Sequence, residues 1–430
     1  MLYSLLMGIV LKGNICYSRT IDTLATVENG FLAVGGKHLL AVFDKLPGEY
    51  KDFPLVDYGN CLIIPGLCDL HVHAPQYAFR GLGMDMELLD WLNTYTFPEE
   101  SKYEQIDYAI KAYDIFANAI NQSATTRAVV FATLHTPATV LLMEKLEKSG
   151  IVSMVGKVAM DRNCPDYLRQ ASPEAAYLST KSWIEEVNGK FNNTTPIITP
   201  RFIPTCSDEL LRNLKKLQTE YSLPVQSHLS ENLNEVKWVT DLSQGKSYAD
   251  SYERFGLFGG DNVPTIMAHC VWCYDIDMKL LRKNGVYAAH CPQSNLNLSS
   301  GIAPIRKFLE KGIKVGLGSD IAGGSHLSIF RAMSDAIQSS KMYWRLIDQN
   351  DTPLSVNEAF YLGTAGGGSF FGKAGSFKPG YEFDAVIIDD TSIPTSNPLN
   401  LEERLARIIY CSDTSNIIAK YVRGEMVWTQ

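Results

Sequence analysis

An α/β fold is predicted for this chain: a (β/α)8 TIM-type barrel carrying a small β-sandwich domain built from both termini. Three observations lead there. From about residue 62, short apolar runs alternate with longer amphipathic segments, the pattern of parallel strands covered by helices. Eight such strand–helix steps fit between residues 63 and 375, and barrels of this kind run ~250 residues or more with insertions. Both chain ends are rich in short strand-like runs punctuated by Gly and Asn, so residues 1–62 and 376–430 suit one composite β domain flanking the barrel of residues 63–375.

Taken in order, residues 1–11 are apolar but far shorter than the ~20 residues of a membrane span. With no basic leader and no small-residue cleavage site, they are read as a buried strand. Further strands are expected at 8–12, 23–28, 31–34 and 39–43, with Gly35-Gly36 as the turn between the last two. The barrel strands are expected at 67–73, 127–133, 153–159, 197–204, 225–229, 265–269, 285–289 and 314–318. Helical periodicity covers 103–121, 138–149, 173–186, 208–221, 231–239, 275–283 and 302–311. Beyond the barrel, a helix ends in the glycine cluster 364–368, and residues 380–389 turn into a strand. Residues 408–410 and 416–429 continue with strand-like character.

Composition narrows the function classes. A hydrophobic content of 46% with 20% charged residues is that of an ordinary globular protein. The formal charge of -8, with no basic stretch to offset it, argues against a nucleic-acid binder or a protein docking on anionic membrane. Nine cysteines, odd in number and scattered, suit a reducing cytoplasm. Cys270-Val-Trp-Cys273 has the spacing of a redox or zinc pair but has no second pair to complete it, and is read as structural.

The chemistry concentrates at predicted strand ends. His71-Val-His73 places two imidazoles on one face of a strand, because side chains alternate at a period of two. His228, His269 and Asp320 end the fifth, sixth and eighth strands, where barrel enzymes carry their functional residues. Nitrogen and carboxylate ligands with an open position make a catalytic zinc-type site, and iron or manganese use similar sets. Glu231, three residues after His228 and expected at a helix start, reaches the same opening and is the candidate proton shuttle; the bland alternative is a first-turn helix charge.

The ordered set Pro-Gly-x-x-Asp-x-His-x-His, two later histidines and Ser319-Asp320 resembles the amidohydrolase superfamily over essentially the whole chain. Finer motifs resemble its guanine deaminase family: His73-Ala-Pro-Gln76, the stretch from Leu89 through Trp91, Tyr95 and Phe97 to Glu100, Thr199-Pro-Arg201-Phe202, His228-Leu-Ser-Glu231 and Gly318-Ser-Asp320-Ile-Ala-Gly-Gly324. The resemblance implies one divalent metal, Zn2+ first and Fe2+ as alternative, held by His71, His73, His228 and Asp320, with His269 nearer the attacking water or the substrate. Two-metal members carry a carboxylated lysine at strand four; here Arg201 stands there and Lys157 falls on strand three, which favours one metal.

The implied reaction is hydrolysis of guanine to xanthine and ammonia, in purine catabolism or salvage. A metal-activated hydroxide attacks C2, Asp320 takes a proton from the water, and Glu231 delivers protons to N3 and to the leaving amine. Phe202 would stack on the purine, Arg201 would donate to its carbonyl, and Gln76 would read its edge, with His228 and Glu231 also facing the substrate. Asp69 is read as support for His71. A cytoplasmic homodimer is the expected assembly, from the resemblance and from an aromatic segment, 91–97, taken to be exposed. The rivals are a deaminase or hydrolase of another ring on the same barrel, and a scaffold that has lost catalysis. The scaffold predicts missing ligands, and none is missing.

Overall fold

The computed structural model describes residues 8–260 and 263–430; of the strand expected over residues 1–11, residues 1–7 lie outside the described residues. Four strands open the chain: β1 (Ile9–Ser18), β2 (Leu24–Gly35), β3 (His38–Phe43) and β4 (Leu55–Pro65). Strands β5 (Leu67–His73), β6 (Thr125–Phe131), β7 (Val152–Gly156), β8 (Val158–Ala159), β9 (Thr194–Pro196) and β10 (Thr199–Pro200) follow. Next come β11 (Val225–Leu229), β12 (Thr265–His269), β13 (Tyr287–His290) and β14 (Lys314–Leu317). The chain closes with β15 (Ala385–Ile388), β16 (Ile417–Val422) and β17 (Glu425–Thr429).

Both termini contribute to one seven-stranded sheet, ordered β17-β16-β15-β4-β1-β2-β3. The central strands form two four-stranded sheets, β5-β6-β7-β9 and β11-β12-β13-β14, with parallel pairing throughout. An isolated bridge, Ile198 to Val225, links them on one side. On the other side Asp320 N donates to His71 O (2.8 Å) and His73 N to Ile321 O (3.2 Å). These strands are buried along nearly their whole length, as parallel strands with helices on the outside must be.

The third and fourth expected strands are each interrupted. β7 and β8 part at Lys157, and β9 and β10 part at Ile197-Ile198. The run expected over 197–204 ends early: β10 stops at Pro200, and Ile203–Thr205, with Pro204 lacking an N–H for a ladder, forms a 3-10 turn. A larger correction concerns residues 408–410, which belong to the helix Leu401–Cys411 and not to a strand. Leu401, Leu405, Ile408 and Ile409 share its buried face, and Asn400 with Glu403 forms a reciprocal capping box, each side chain bonded to the other's backbone N–H at 2.9 Å. Asn400→Ala is expected to lower stability by about 1 kcal/mol, read by urea unfolding; an unchanged midpoint would show the cap to be dispensable.

The terminal sheet is tied to the parallel strands by buried charge. Arg127 on β6 pairs with Asp384 (2.5 Å) and Glu382 (2.7 Å). Lys420 on β16 donates to the carbonyls of Ile120, Asn121, Ser123 and Thr125, at the C-terminal end of the helix Ile106–Gln122. Among the described residues no helix is long and apolar enough to cross a membrane.

Candidate active site

The C-terminal ends of the central strands bring the candidate residues together. His71 and His73 end β5, His228 lies in β11, His269 ends β12 and Asp320 follows β14. All five are buried. The donor atoms of His71, His73 and Asp320 lie within 4.8 Å of one another, as do those of His71, His228 and His269. His71 Nε2 stands 3.1 Å and His73 Nε2 3.6 Å from Asp320 Oδ1, and His73 Nε2 is 3.1 Å from His228 Nε2.

The backbone presets these groups. His228 Nδ1 is 2.6 Å from the carbonyl of Arg201. A carbonyl only accepts, so Nδ1 carries the proton and Nε2 turns a lone pair to the centre. Asp69 accepts from the N–H of His71 (3.2 Å), and from the N–H (3.0 Å) and hydroxyl (2.5 Å) of Ser319. It thereby locks β5 to the turn that carries Asp320; burial raises its carboxyl to about 6. That turn needs glycine at Gly324, where a Cβ would come within 2.0 Å of Ser319 O.

Burial favours the neutral imidazole at His73, His228 and His269. Burial, and then the neighbouring His71, holds His73 and His228 well below the usual histidine range. Burial likewise lowers His269 to about 4. Burial alone would raise Asp320, but His71, His269 and His73 together hold it well below the carboxylate range. Neutral nitrogens around an anionic oxygen form a cation's donor set. His71 Nε2 is buried and makes no well-aligned hydrogen bond, its one close neighbour being the Asp320 carboxylate at 3.1 Å, as expected of two ligands that share an ion. The residues present therefore fit a divalent metal.

Beside this cluster lies a cavity lined among others by Gln76, Leu88, Trp91, Arg201, Phe202 and Glu231. Flat apolar side chains and a few directed polar groups of this kind suit a small heterocycle. Glu231 reaches in with Oε2 3.3 Å from His269 Nε2, which is itself 3.7 Å from Asp320 Oδ2. Glu231 precedes the helix expected to begin with it. The helix runs Leu233–Leu242, because Asn232 caps it and Glu235 closes the capping box. Glu235 also accepts the Glu231 N–H (2.8 Å), which fixes the shuttle candidate from behind.

One other expectation changes. The 91–97 segment is not an exposed aromatic patch: Trp91 and Phe97 are buried, and Trp91 lines the cavity, its indole N–H held by Leu82 O at 3.0 Å. Gln76 and Arg201 are not free side chains, since Glu100 binds both. His326 lines a separate surface cavity with Arg80 and Tyr77. Lys157 is buried without a hydrogen-bond partner and is pushed down to about 8 by burial.

Comparison with known proteins agrees with this geometry. The model of the amidohydrolase family matches residues 62–427. The guanine deaminase of Dictyostelium discoideum is 36% identical, covering 97% of each chain, and that of Escherichia coli (strain K12) is 35% identical, covering 96% of this chain and 95% of its own. Among solved structures, the guanine deaminase from C. acetobutylicum with guanine bound in its active site superposes with a TM-score of 0.95. Its identity is 46%, over 98% of this chain and 100% of the other. By sequence and by fold, the chain belongs to the amidohydrolase family.

Proposed function

We propose that the chain hydrolyses guanine to xanthine and ammonia. One observation carries the reading: a buried slot joins a histidine–aspartate cluster, a buried glutamate and the donor side chains Arg201 and Gln76. The similarity to a relative that holds guanine in its active site supports it.

His71, His73, His228 and Asp320 would hold one divalent cation, zinc first and iron second. When bound, such a cation makes a water molecule acidic enough to lose a proton near neutral pH. Asp320 takes that proton on a carboxylate oxygen. Glu231 keeps its own proton, because burial and the charges of Asp320 and Glu235 raise its carboxyl well above the usual range. It gives that proton to ring N3 as the attacking oxygen joins C2, takes up the proton the new C2–OH loses as the carbonyl forms, and passes it to the departing amine; the proton on Asp320 then restores Glu231. His269 faces both carboxylates and holds the attacking oxygen. Phe202 and Trp91 supply flat apolar walls for the ring, and Arg201 and Gln76 offer N–H groups to the carbonyl edge.

The reading extends to a single (β/α)8 barrel of residues 63–375 closed from the two four-stranded sheets, with residues 1–62 and 376–430 as a β-sandwich-type domain. It extends also to a cytoplasmic homodimer acting in purine catabolism or salvage. Light scattering of the purified chain tests the dimer.

Zinc-loaded protein is expected to convert guanine to xanthine, and to leave cytosine and adenosine largely untouched. Turnover of one of those, or of a chlorinated triazine, without guanine would keep the metal site and overturn the pocket. Exhaustive chelation is expected to abolish turnover and lower the melting temperature, since a ligand that binds only the folded state stabilises it. Full activity after chelation, with no metal left by elemental analysis, would remove the cation from the mechanism.

A further inference from the structure

We propose that Glu100 is a positioning residue that sets the purine specificity of the site by holding Arg201 and Gln76 in one arrangement; this rests on the guanine reading above. Glu100 is 1% exposed, on the short helix Phe97–Ser101. Its carboxylate takes Arg201 Nη1 at 2.5 Å and Nη2 at 3.1 Å, and Oε1 also takes Gln76 Nε2 at 2.9 Å. The Gln76 amide is thereby oriented at both ends, for its Oε1 accepts the Ala322 N–H at 2.9 Å. The Phe97 ring backs the guanidinium, with its centroid 5.1 Å away. Glu100 stands behind these groups: Gln76 and Arg201 line the cavity, and Glu100 does not.

A count of donors shows what this achieves. Arginine has five N–H groups and a glutamine amide two. Glu100 takes two of the first and one of the second. What this side turns to the cavity is then chiefly N–H from the guanidinium and the amide, since Gln76 Oε1 is held by the Ala322 N–H, and Glu100 cancels the guanidinium charge. Such an edge receives an acceptor at ring position 6, as in a 6-oxopurine. It opposes a 6-amino group, which would set donor against donor. Without Glu100 the guanidinium keeps an uncompensated buried charge, and the amide loses one of the two bonds that fix its orientation. Neighbouring Glu99 turns the other way, to Lys102 at 2.6 Å and to the Tyr108 hydroxyl, so the two adjacent carboxylates serve different surfaces.

The test is Glu100→Gln assayed on guanine and on 2-aminopurine, which has the same amino group to lose but no oxygen at position 6. Loss of a hydrogen bond that a site was built to make costs large factors in selectivity, so kcat/KM for guanine is expected to fall about 10²-fold, mainly through KM. For 2-aminopurine it is expected to change less than about threefold, as no such bond is at stake. The guanine to 2-aminopurine ratio therefore collapses. Adding Glu100→Gln to Arg201→Met should cost guanine turnover little more than Arg201→Met alone, because residues acting through one another are not additive. If Glu100→Gln fails to fold, Gln76→Leu, which leaves the Arg201–Glu100 pair in place, should lower the same ratio. Parallel losses on both substrates, or an unchanged ratio, overturn the proposal. A wild-type chain inactive on guanine overturns the functional reading itself, and this proposal with it.

Discussion

Replacing Glu231 by glutamine is expected to lower kcat by roughly 10²–10⁴-fold, the usual contribution of a positioned acid or base. KM for guanine should stay within a few-fold, since the amide keeps the shape of the side chain. The expectation rests on the state of this carboxyl. It is buried; beyond that, the charges of Asp320 and Glu235 oppose its ionisation, and only Ser300 and Arg201 pull the other way. Its pKa stands well above the usual carboxylate value, so the group carries a proton where an ordinary glutamic acid carries none. A proton donor loses function as pH rises through its own pKa. The rate should therefore decline on the alkaline side, at a pH well above that of an unperturbed glutamate.

The stability sign follows from the same shift. A carboxyl whose folded pKa is raised contributes no penalty below its unfolded value and costs stability as pH climbs toward the folded one. Metal-free Glu231→Gln should then melt no higher than wild type in acid and higher at alkaline pH. Strained charge at a catalytic site commonly trades stability for activity in this way. A variant with near wild-type kcat would remove Glu231 from proton transfer. Identical melting curves across the pH range would remove the buried charge from the account.

The strand-end residues were legible because their signals are local. Alternation put His71 and His73 on one face, and the runs at 225–229 and 265–269 coincide with β11 and β12, so His228 and His269 fall where expected. The helices Asp208–Tyr221 and Asp275–Lys283 were equally local, bounded by cap residues and periodic throughout. Ile408-Ile409-Tyr410 misled because a short apolar run reads alike in a strand and on a helix face. The deciding signal was upstream, in Asn400 and Glu403. Glu100 could not be found this way. A buried guanidinium needs a counter-charge, but which of the many carboxylates supplies it is settled by tertiary folding, here across 101 residues of sequence. Trp91 is a similar case: an aromatic in a polar stretch reads as surface or core until the chain closes over it.

Arg127→Met is expected to destabilise the fold by about 3–5 kcal/mol, the cost of removing one partner of a buried ion pair. Arg127 is 1% exposed and Asp384 is fully buried, so the loss leaves a buried carboxylate with no cationic partner, held only by the Arg423 N–H at 2.9 Å and the Thr126 hydroxyl at 3.5 Å. Glu382 is a lesser casualty, being about a quarter exposed and retaining Arg423 at 3.2 Å. The cost should therefore trace to Asp384. Adding Asp384→Asn to Arg127→Met is expected to recover much of it, because removing both charges is far cheaper than stranding one. Urea unfolding of the single and double variants reads this directly; a single-variant loss under about 1 kcal/mol, as for an exposed pair, would show the seam to be solvated. Arg127 sits toward the start of β6, while the histidine–aspartate cluster gathers at the opposite, C-terminal ends of the strands. Below its unfolding transition Arg127→Met should thus keep wild-type kcat. The seam between the terminal sheet and the parallel strands then acts as an anchor for the fold, separable from the chemistry at the other end.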